Sequence, residues 1–107
     1  MSLKILYVED ETTTASLTAG LILDYCDKLY VAHNGEDGKK IFFDRNPNLI
    51  ITDINTPKMN GLEMIREIRK HNKEIHIYVT SSYESDHYLS KNVLRELNVI
   101  GFVLKPI

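Results

Sequence analysis

The stretch LKILYVEDE, residues 3–11, is an apolar run that ends in three consecutive acids. Three more apolar runs also end in polar residues: Leu49–Thr52 in Asp53, Ile75–Val79 in Thr80-Ser81-Ser82, and Val99–Leu104 in Lys105-Pro106. If the four runs are neighbouring parallel strands, their polar ends meet at the carboxyl edge of one sheet, where open α/β sheets bind ligands. The pattern therefore predicts a parallel α/β fold with a site suited to phosphate chemistry.

Helical patterns alternate with these runs along the whole chain, as in βα units around a parallel sheet. The first helix is predicted from about Thr12 to Cys26, and Leu29–Ala32 is predicted to be a short edge strand. Later helices are predicted from Asn34, which is a suitable N-cap, from Leu62 to His71, and from Ser85. Five strands and four helices with no linker or repeat predict one doubly wound domain over residues 1–107.

Length, charge and cysteine content exclude several classes of protein. A chain of 107 residues suits one domain, and its net charge of −2 gives no electrostatic reason to expect direct binding to nucleic acid or anionic membranes. No apolar stretch approaches the roughly 20 residues of a membrane helix, and a strand begins too early for a signal peptide to precede it. The single cysteine, Cys26, cannot form an internal disulfide, which agrees with a cytoplasmic location.

The strand ends also carry the motifs of a known family. The chain resembles the receiver domain of bacterial two-component response regulators over essentially its whole length. The resemblance rests on these pieces: Val8-Glu9-Asp10-Glu11, Thr52-Asp53 with Pro57 and Gly61 four and eight residues later, Val79-Thr80-Ser81, and Gly101–Pro106. It implies a flavodoxin-like sheet of five parallel strands in the order 2-1-3-4-5.

The resemblance implies a phosphoryl-accepting site that contains Mg²⁺. Asp53 would accept the phosphoryl group from a kinase histidine. Asp10 and Asp53 would bind Mg²⁺ directly, the backbone carbonyl of Asn55 would be a third ligand, and Glu9 would act through a water molecule. Glu11 is expected to point into solvent at the start of the first helix.

The resemblance also implies a conformational switch. Lys105 and Thr80 would each contact a phosphoryl oxygen, and Thr80 would then shift together with the aromatic ring of Phe102. Simple packing of Phe102 is an equally good explanation of that residue. The output surface would consist of the fourth helix, the fifth strand and the loop between Thr80 and Ser85. Such a domain is not a multiple-turnover enzyme, because it catalyses only its own phosphorylation and dephosphorylation.

The expected partners are a sensor histidine kinase or a phosphotransfer protein, and an output domain or output partner. Receiver domains usually continue after Lys-Pro into a fifth helix, whereas this sequence ends at Ile107. We therefore expect the fifth helix to be absent and an apolar patch to lie bare. A bare patch predicts a homodimer or helix exchange, unless the chain is the ordered part of a longer protein.

Two other functions are compatible with the fold class. One is a pseudo-receiver that binds partners without phosphorylation, although the set Glu9, Asp10, Asp53, Thr80 and Lys105 argues against it. The other is a flavin or nucleotide binder, but three acids after the first strand would repel phosphate unless a metal intervenes. No role is predicted for the four histidines, His33, His71, His76 and His87, whose spacing does not suit a metal site, and Cys26 is predicted to be a core residue of the first helix.

Overall fold

The computed structural model describes residues 2–54, 56–81 and 95–104. Five strands form one parallel sheet in the order β2-β1-β3-β4-β5. Their bounds are β1 Lys4–Val8, β2 Lys28–Ala32, β3 Leu49–Asp53, β4 His76–Ser81 and β5 Gly101–Leu104. The described helices are α1 Thr12–Ile22, α2 Gly35–Arg45 and α3 Gly61–Arg69, with a 3₁₀ turn at Leu23–Tyr25.

These elements confirm the parallel α/β architecture and the predicted order of the first four strands, and β2 lies at an edge of the sheet as expected. The predicted helix from Ser85 has its first residues outside the described part of the chain. The absence of a fifth helix stays a prediction, since the described residues end at 104. Among the described residues, no helix is long and apolar enough to cross a membrane.

Right-handed crossovers place the helices on two faces of the sheet. The chain moves from β1 to β2 in one direction across the sheet and from β2 through β3 to β4 in the other, so α1 lies on one face and α2 and α3 lie on the opposite face. We call these the α1 face and the α2/α3 face. The core cluster occupies the α2/α3 face, and its fully buried members are Leu6, Val8, Ile50, Met64, Ile65, Ile68, Ile77 and Val79.

The first helix is shorter than predicted. It ends at Ile22 and tightens into the 3₁₀ turn, so Cys26 lies beyond the helix in extended backbone and is half-buried. The reason is a tertiary contact: the backbone N–H groups of Asp27 and Lys28 both donate to the carbonyl of Leu3, at 2.8 and 3.2 Å. Because of this contact the chain leaves the helix and enters β2, although the helical spacing of apolar residues continues as far as Cys26. Burial, with a smaller contribution from Asp27, raises the pKa of the Cys26 thiol, which favours its unreactive protonated form.

The buried guanidinium of Arg69 joins the end of α3 to the chain that leads into β5. It donates to the carbonyls of Leu97 and Asn98 at 2.8 and 2.9 Å, and to the carbonyl of Asn72 at 3.2 Å. Burial lowers the pKa of Arg69, but an arginine stays charged at physiological pH. Its positive charge therefore stabilises these three backbone carbonyl groups and ties the segment before β5 to the end of α3.

Candidate metal and phosphoryl site

The register of the parallel strands places three polar residues in one row. Val8 of β1 pairs with Thr52 of β3, and Asp53 pairs with Thr80 of β4. Glu9 follows Val8 and is therefore level with Asp53. Since side chains alternate between the two faces of a sheet, Glu9, Asp53 and Thr80 share the α1 face, at its carboxyl edge.

Three carboxylates converge there, and we call Glu9, Asp10 and Asp53 the acidic trio. Each offers one oxygen atom, and these three oxygens all lie within 4.8 Å of one another. Glu9 is fully buried, Asp53 is 6% exposed, and Asp10 is exposed. Because two of the three carboxylates are buried, like charges this close repel strongly, and a cation that neutralises them would stabilise the arrangement. An oxygen-only donor set with one side open to solvent fits a hard divalent cation such as Mg²⁺.

Backbone contacts hold the loop that carries two of the three acids. The N–H of Glu9 donates to the carbonyl of Ala32 at 2.9 Å, and the Oε2 of Glu9 accepts the N–H of Glu11 at 3.2 Å. Glu11 is exposed at the start of α1, as predicted, where its carboxylate accepts the N–H groups of Thr13 and Thr14 at 3.0 and 3.4 Å. Glu11 thus serves as the N-cap of the helix and is not part of the acidic trio.

The motif glycine lies against the backbone of Asp53. A Cβ at Gly61 would overlap the carbonyl oxygen of Asp53, so any other residue would push the two segments apart. The N–H of Gly61 donates to the carbonyl of Ile54 at 2.9 Å, and the N–H of Ile54 donates to the carbonyl of Thr80 at 3.2 Å. The spacing of eight residues between Asp53 and Gly61 therefore has a steric cause in the close approach of α3 to the end of β3.

The hydroxyl of Thr80 is buried and has no hydrogen-bond partner among the described residues. A buried hydroxyl without a partner costs about 1–3 kcal/mol relative to one that is hydrogen-bonded. An acceptor oxygen that entered the site beside Asp53 would remove this cost, which makes Thr80 suited to sense an added group.

Several predicted site residues lie outside what the structure describes. These are Asn55, Lys105 and the side chain of Phe102. The structure therefore brings together Glu9, Asp10, Asp53 and Thr80 of the predicted set.

Sequence reasoning missed one residue at this site, His33. Its Nδ1 lies 2.9 Å from the carbonyl oxygen of Glu9. The available signal was its place at the end of the edge strand next to β1, directly before the N-cap Asn34. His71, by contrast, follows the end of α3, and His76 is the first residue of β4, so neither lies at the carboxyl edge of the sheet.

The comparisons with known proteins agree with this geometry. The model of the response regulator receiver domain matches residues 5–107. The chain is 28% identical over 105 residues to the probable C4-dicarboxylate response regulator DctR of Bacillus subtilis, an alignment that covers 96% of this chain and 46% of that protein. The chain thus spans about half the length of this curated relative.

Two solved structures share both the fold and substantial sequence identity. The N-terminal domain of an uncharacterized protein from Wolinella succinogenes is 36% identical, with a TM-score of 0.88 over 99% of this chain and 84% of that one. The response regulator protein TrrA from Thermotoga maritima, solved in complex with Mg²⁺-BeF, is 30% identical, with a TM-score of 0.84 over 98% of this chain and 88% of that one.

Proposed function

This chain belongs to the response regulator receiver domain family, and on that premise we propose that it is a phosphoacceptor switch of a two-component signalling system. In this proposal a carboxylate oxygen of Asp53 attacks the phosphorus of a phosphohistidine. The phosphorus–nitrogen bond breaks, the imidazole leaves, and an acyl phosphate forms on Asp53. The observation that carries the proposal is the acidic trio, with the nearly buried carboxylate of Asp53 beside the hydroxyl of Thr80.

The acidic trio supports a Mg²⁺-dependent reaction. Asp10 and Asp53 would bind the ion directly, the carbonyl of Asn55 would be a third ligand, and Glu9 would hold a coordinated water. When bound, Mg²⁺ would neutralise the carboxylates and the incoming phosphoryl oxygens, whose charge otherwise opposes the approach of the donor. The Mg²⁺-BeF complex of TrrA is a property of that relative, and we propose the same ion for this chain.

Thr80 would convert phosphorylation into a change of shape. Its buried hydroxyl would donate to one phosphoryl oxygen, and Lys105 would place its ammonium group near another. The movement of Thr80 along β4, with a rotation of Phe102, would alter the surface formed by β5, the fourth helix and the preceding loop. Asp53 would accept and slowly lose its own phosphoryl group, so the chain would be a signalling switch and not a multiple-turnover enzyme.

The partners follow from the same chemistry. A sensor histidine kinase or phosphotransfer protein would supply the phosphoryl group to this chain in the cytoplasm, and an output domain or separate protein would respond to the altered surface. Homodimer formation is a further proposal. It is supported by the large apolar side chains that α1 and the following turn expose: Leu17, Leu21, Leu23 and Tyr25.

The test is incubation with acetyl phosphate, with and without Mg²⁺, followed by intact-mass analysis. We expect the mass of one phosphoryl group to be added only when Mg²⁺ is present, and not to be added to Asp53→Asn. Asp44→Asn is a matched control, since Asp44 is an exposed aspartate on α2 and should leave the modification unchanged.

A parent chain that binds Mg²⁺ but gains no phosphoryl group would overturn the proposal in favour of a pseudo-receiver. Equal modification of Asp53→Asn would show that another residue is the acceptor.

A further inference from the structure

His33 makes a contact that replaces the next hydrogen bond of the sheet. The last backbone bond between the ends of β1 and β2 runs from the N–H of Glu9 to the carbonyl of Ala32, at 2.9 Å. In a continued parallel ladder the carbonyl of Glu9 would accept the N–H of Asn34. However, β2 ends at Ala32, and Asn34 is the N-cap of α2. The imidazole Nδ1 of His33 instead lies 2.9 Å from the carbonyl oxygen of Glu9.

The chemistry of the contact determines where the proton is. A backbone carbonyl only accepts hydrogen bonds, so the Nδ1 of His33 must carry the hydrogen. The contact therefore selects the Nδ1–H tautomer of the neutral imidazole. It also leaves Nε2 directed away from the carbonyl, as a position that solvent can reach on this exposed side chain.

Through this contact both backbone polar groups of Glu9 are held by the end of β2. The N–H is held by Ala32 and the carbonyl by His33. The Glu9 side chain is fully buried and contributes an oxygen to the acidic trio, and Asp10 is the next residue. Any shift of the Glu9 backbone would therefore move two of the three carboxylates relative to Asp53.

We propose that His33 is a positioning residue that sets the Mg²⁺ affinity of the acidic trio by holding the backbone of Glu9. This inference rests on the proposed function for the identity of the cation. Outer groups that orient metal ligands typically change metal affinity by about 10- to 100-fold when they are removed. His33 acts on the ligand's backbone and is exposed, so we expect a weakening below this range, about 3- to 10-fold.

The exposure of His33 makes the effect separable from folding. A side chain at the surface with no place in the core cluster can be removed without leaving a cavity. His33→Asn, which keeps an N–H donor at this position, should therefore melt at nearly the same temperature as the parent.

The experiment is calorimetric titration of the full chain with MgCl₂, comparing the parent, His33→Ala, His33→Asn and His76→Ala. Asparagine places an N–H donor close to the position of Nδ1, so His33→Asn should recover most of the affinity that His33→Ala loses. His76→Ala removes an exposed histidine at the start of β4, the end of that strand far from Thr80, and should bind Mg²⁺ as the parent does. Equal Mg²⁺ affinity of the parent and His33→Ala would overturn the proposal, and so would equal weakening by His33→Asn.

A second measurement needs no metal. Nitrogen-15 NMR of the imidazoles, at a pH where they are neutral, should show the hydrogen of His33 on Nδ1. An Nε2–H tautomer would remove the hydrogen bond on which the inference depends. If the parent and the Asp10→Asn variant both fail to bind Mg²⁺, the cation of the proposed function fails, while the NMR spectrum still decides whether His33 holds Glu9.

Discussion

The two faces of the sheet differ in how they are covered. On the α2/α3 face, α3 packs Met64, Ile65 and Ile68 against the strands with no exposed surface on any of them. On the α1 face, α1 buries only the small side chains Ala15 and Thr18. Its two leucines face solvent, where Leu17 is 70% exposed and Leu21 is 61% exposed.

The two faces therefore contribute differently: one carries most of the packed core, and the other carries the candidate site. Among the described residues, the α2/α3 face carries most of the buried apolar side chains and therefore supplies most of their hydrophobic free energy. The side chains of Glu9, Asp53 and Thr80 lie on the α1 face. Each of these residues comes two positions after a strand residue whose side chain is on that face, and side chains alternate along a strand. The polar site therefore lies where fewer core contacts depend on it, and a movement of Thr80 would disturb little of the packing under α3.

The largest difference in stability is expected when a similar apolar side chain is truncated on each face. Ile65→Ala should lower the free energy of unfolding by about 2–5 kcal/mol, because it leaves a cavity in the packed core. Leu21→Ala should change it by less than about 0.5 kcal/mol, because the Leu21 side chain is already mostly in solvent. Urea denaturation followed by circular dichroism measures both. Similar losses for the two variants would show that the faces are equally packed.

A smaller effect is expected at the start of α3. The Oδ1 of Asn60 accepts the N–H of Glu63 at 2.9 Å, and the Glu63 carboxylate accepts the N–H of Asn60 at 3.3 Å, which completes a capping box. Asn60→Ala should destabilise the chain by about 1 kcal/mol, whereas Asn60→Asp keeps the acceptor and should stay close to the parent. The same denaturation curves measure this difference, and an equal loss in both variants would argue against the cap as its cause.

The smallest effect is expected at Glu67 on the outer surface of α3. Its carboxylate lies 2.6 Å from the Nζ of Lys70 and 3.6 Å from the Nζ of Lys39 on α2. The hydrogen bond from Lys70, the charge of Lys70 and the more distant Lys39 lower the pKa of Glu67 below its usual value of 4.5. A carboxyl pKa that is lower in the folded state stabilises the fold above the unfolded pKa, and this contribution is lost as the pH falls through the folded value.

Glu67→Gln should therefore be slightly less stable than the parent at neutral pH, and the difference should shrink to zero as the pH falls below the carboxyl range. Thermal melts across this pH range would show the convergence. Glu74→Gln, at an exposed position after α3, is the control and should not reproduce it. A difference that persisted at low pH would mean that the charge of Glu67 is not responsible.

Much of the fold and part of the site could be predicted from residues alone. Apolar runs of strand length that alternate with amphipathic helical patterns predict a parallel sheet. The carboxyl ends of parallel strands then meet at one edge of the sheet, independently of the conformation of the loops. Glu9, Asp10, Asp53 and Thr80 could therefore be assigned to one edge from their places after the runs. The end of α1 was predicted wrongly. The helical spacing continues to Cys26, but the hydrogen bonds of Asp27 and Lys28 to the carbonyl of Leu3 end the helix earlier.

The sequence by itself determined which residues end the strands, and hence which chemical groups meet at the sheet edge. Only the tertiary structure decided the contacts of His33 and Arg69. The imidazole of His33 finds the Glu9 carbonyl 24 residues earlier in the chain, and the guanidinium of Arg69 finds carbonyls 28 and 29 residues later. Strand and helix periodicity reports local backbone conformation, whereas these contacts depend on where distant segments stop, so the periodicity alone does not identify the two partners of each contact.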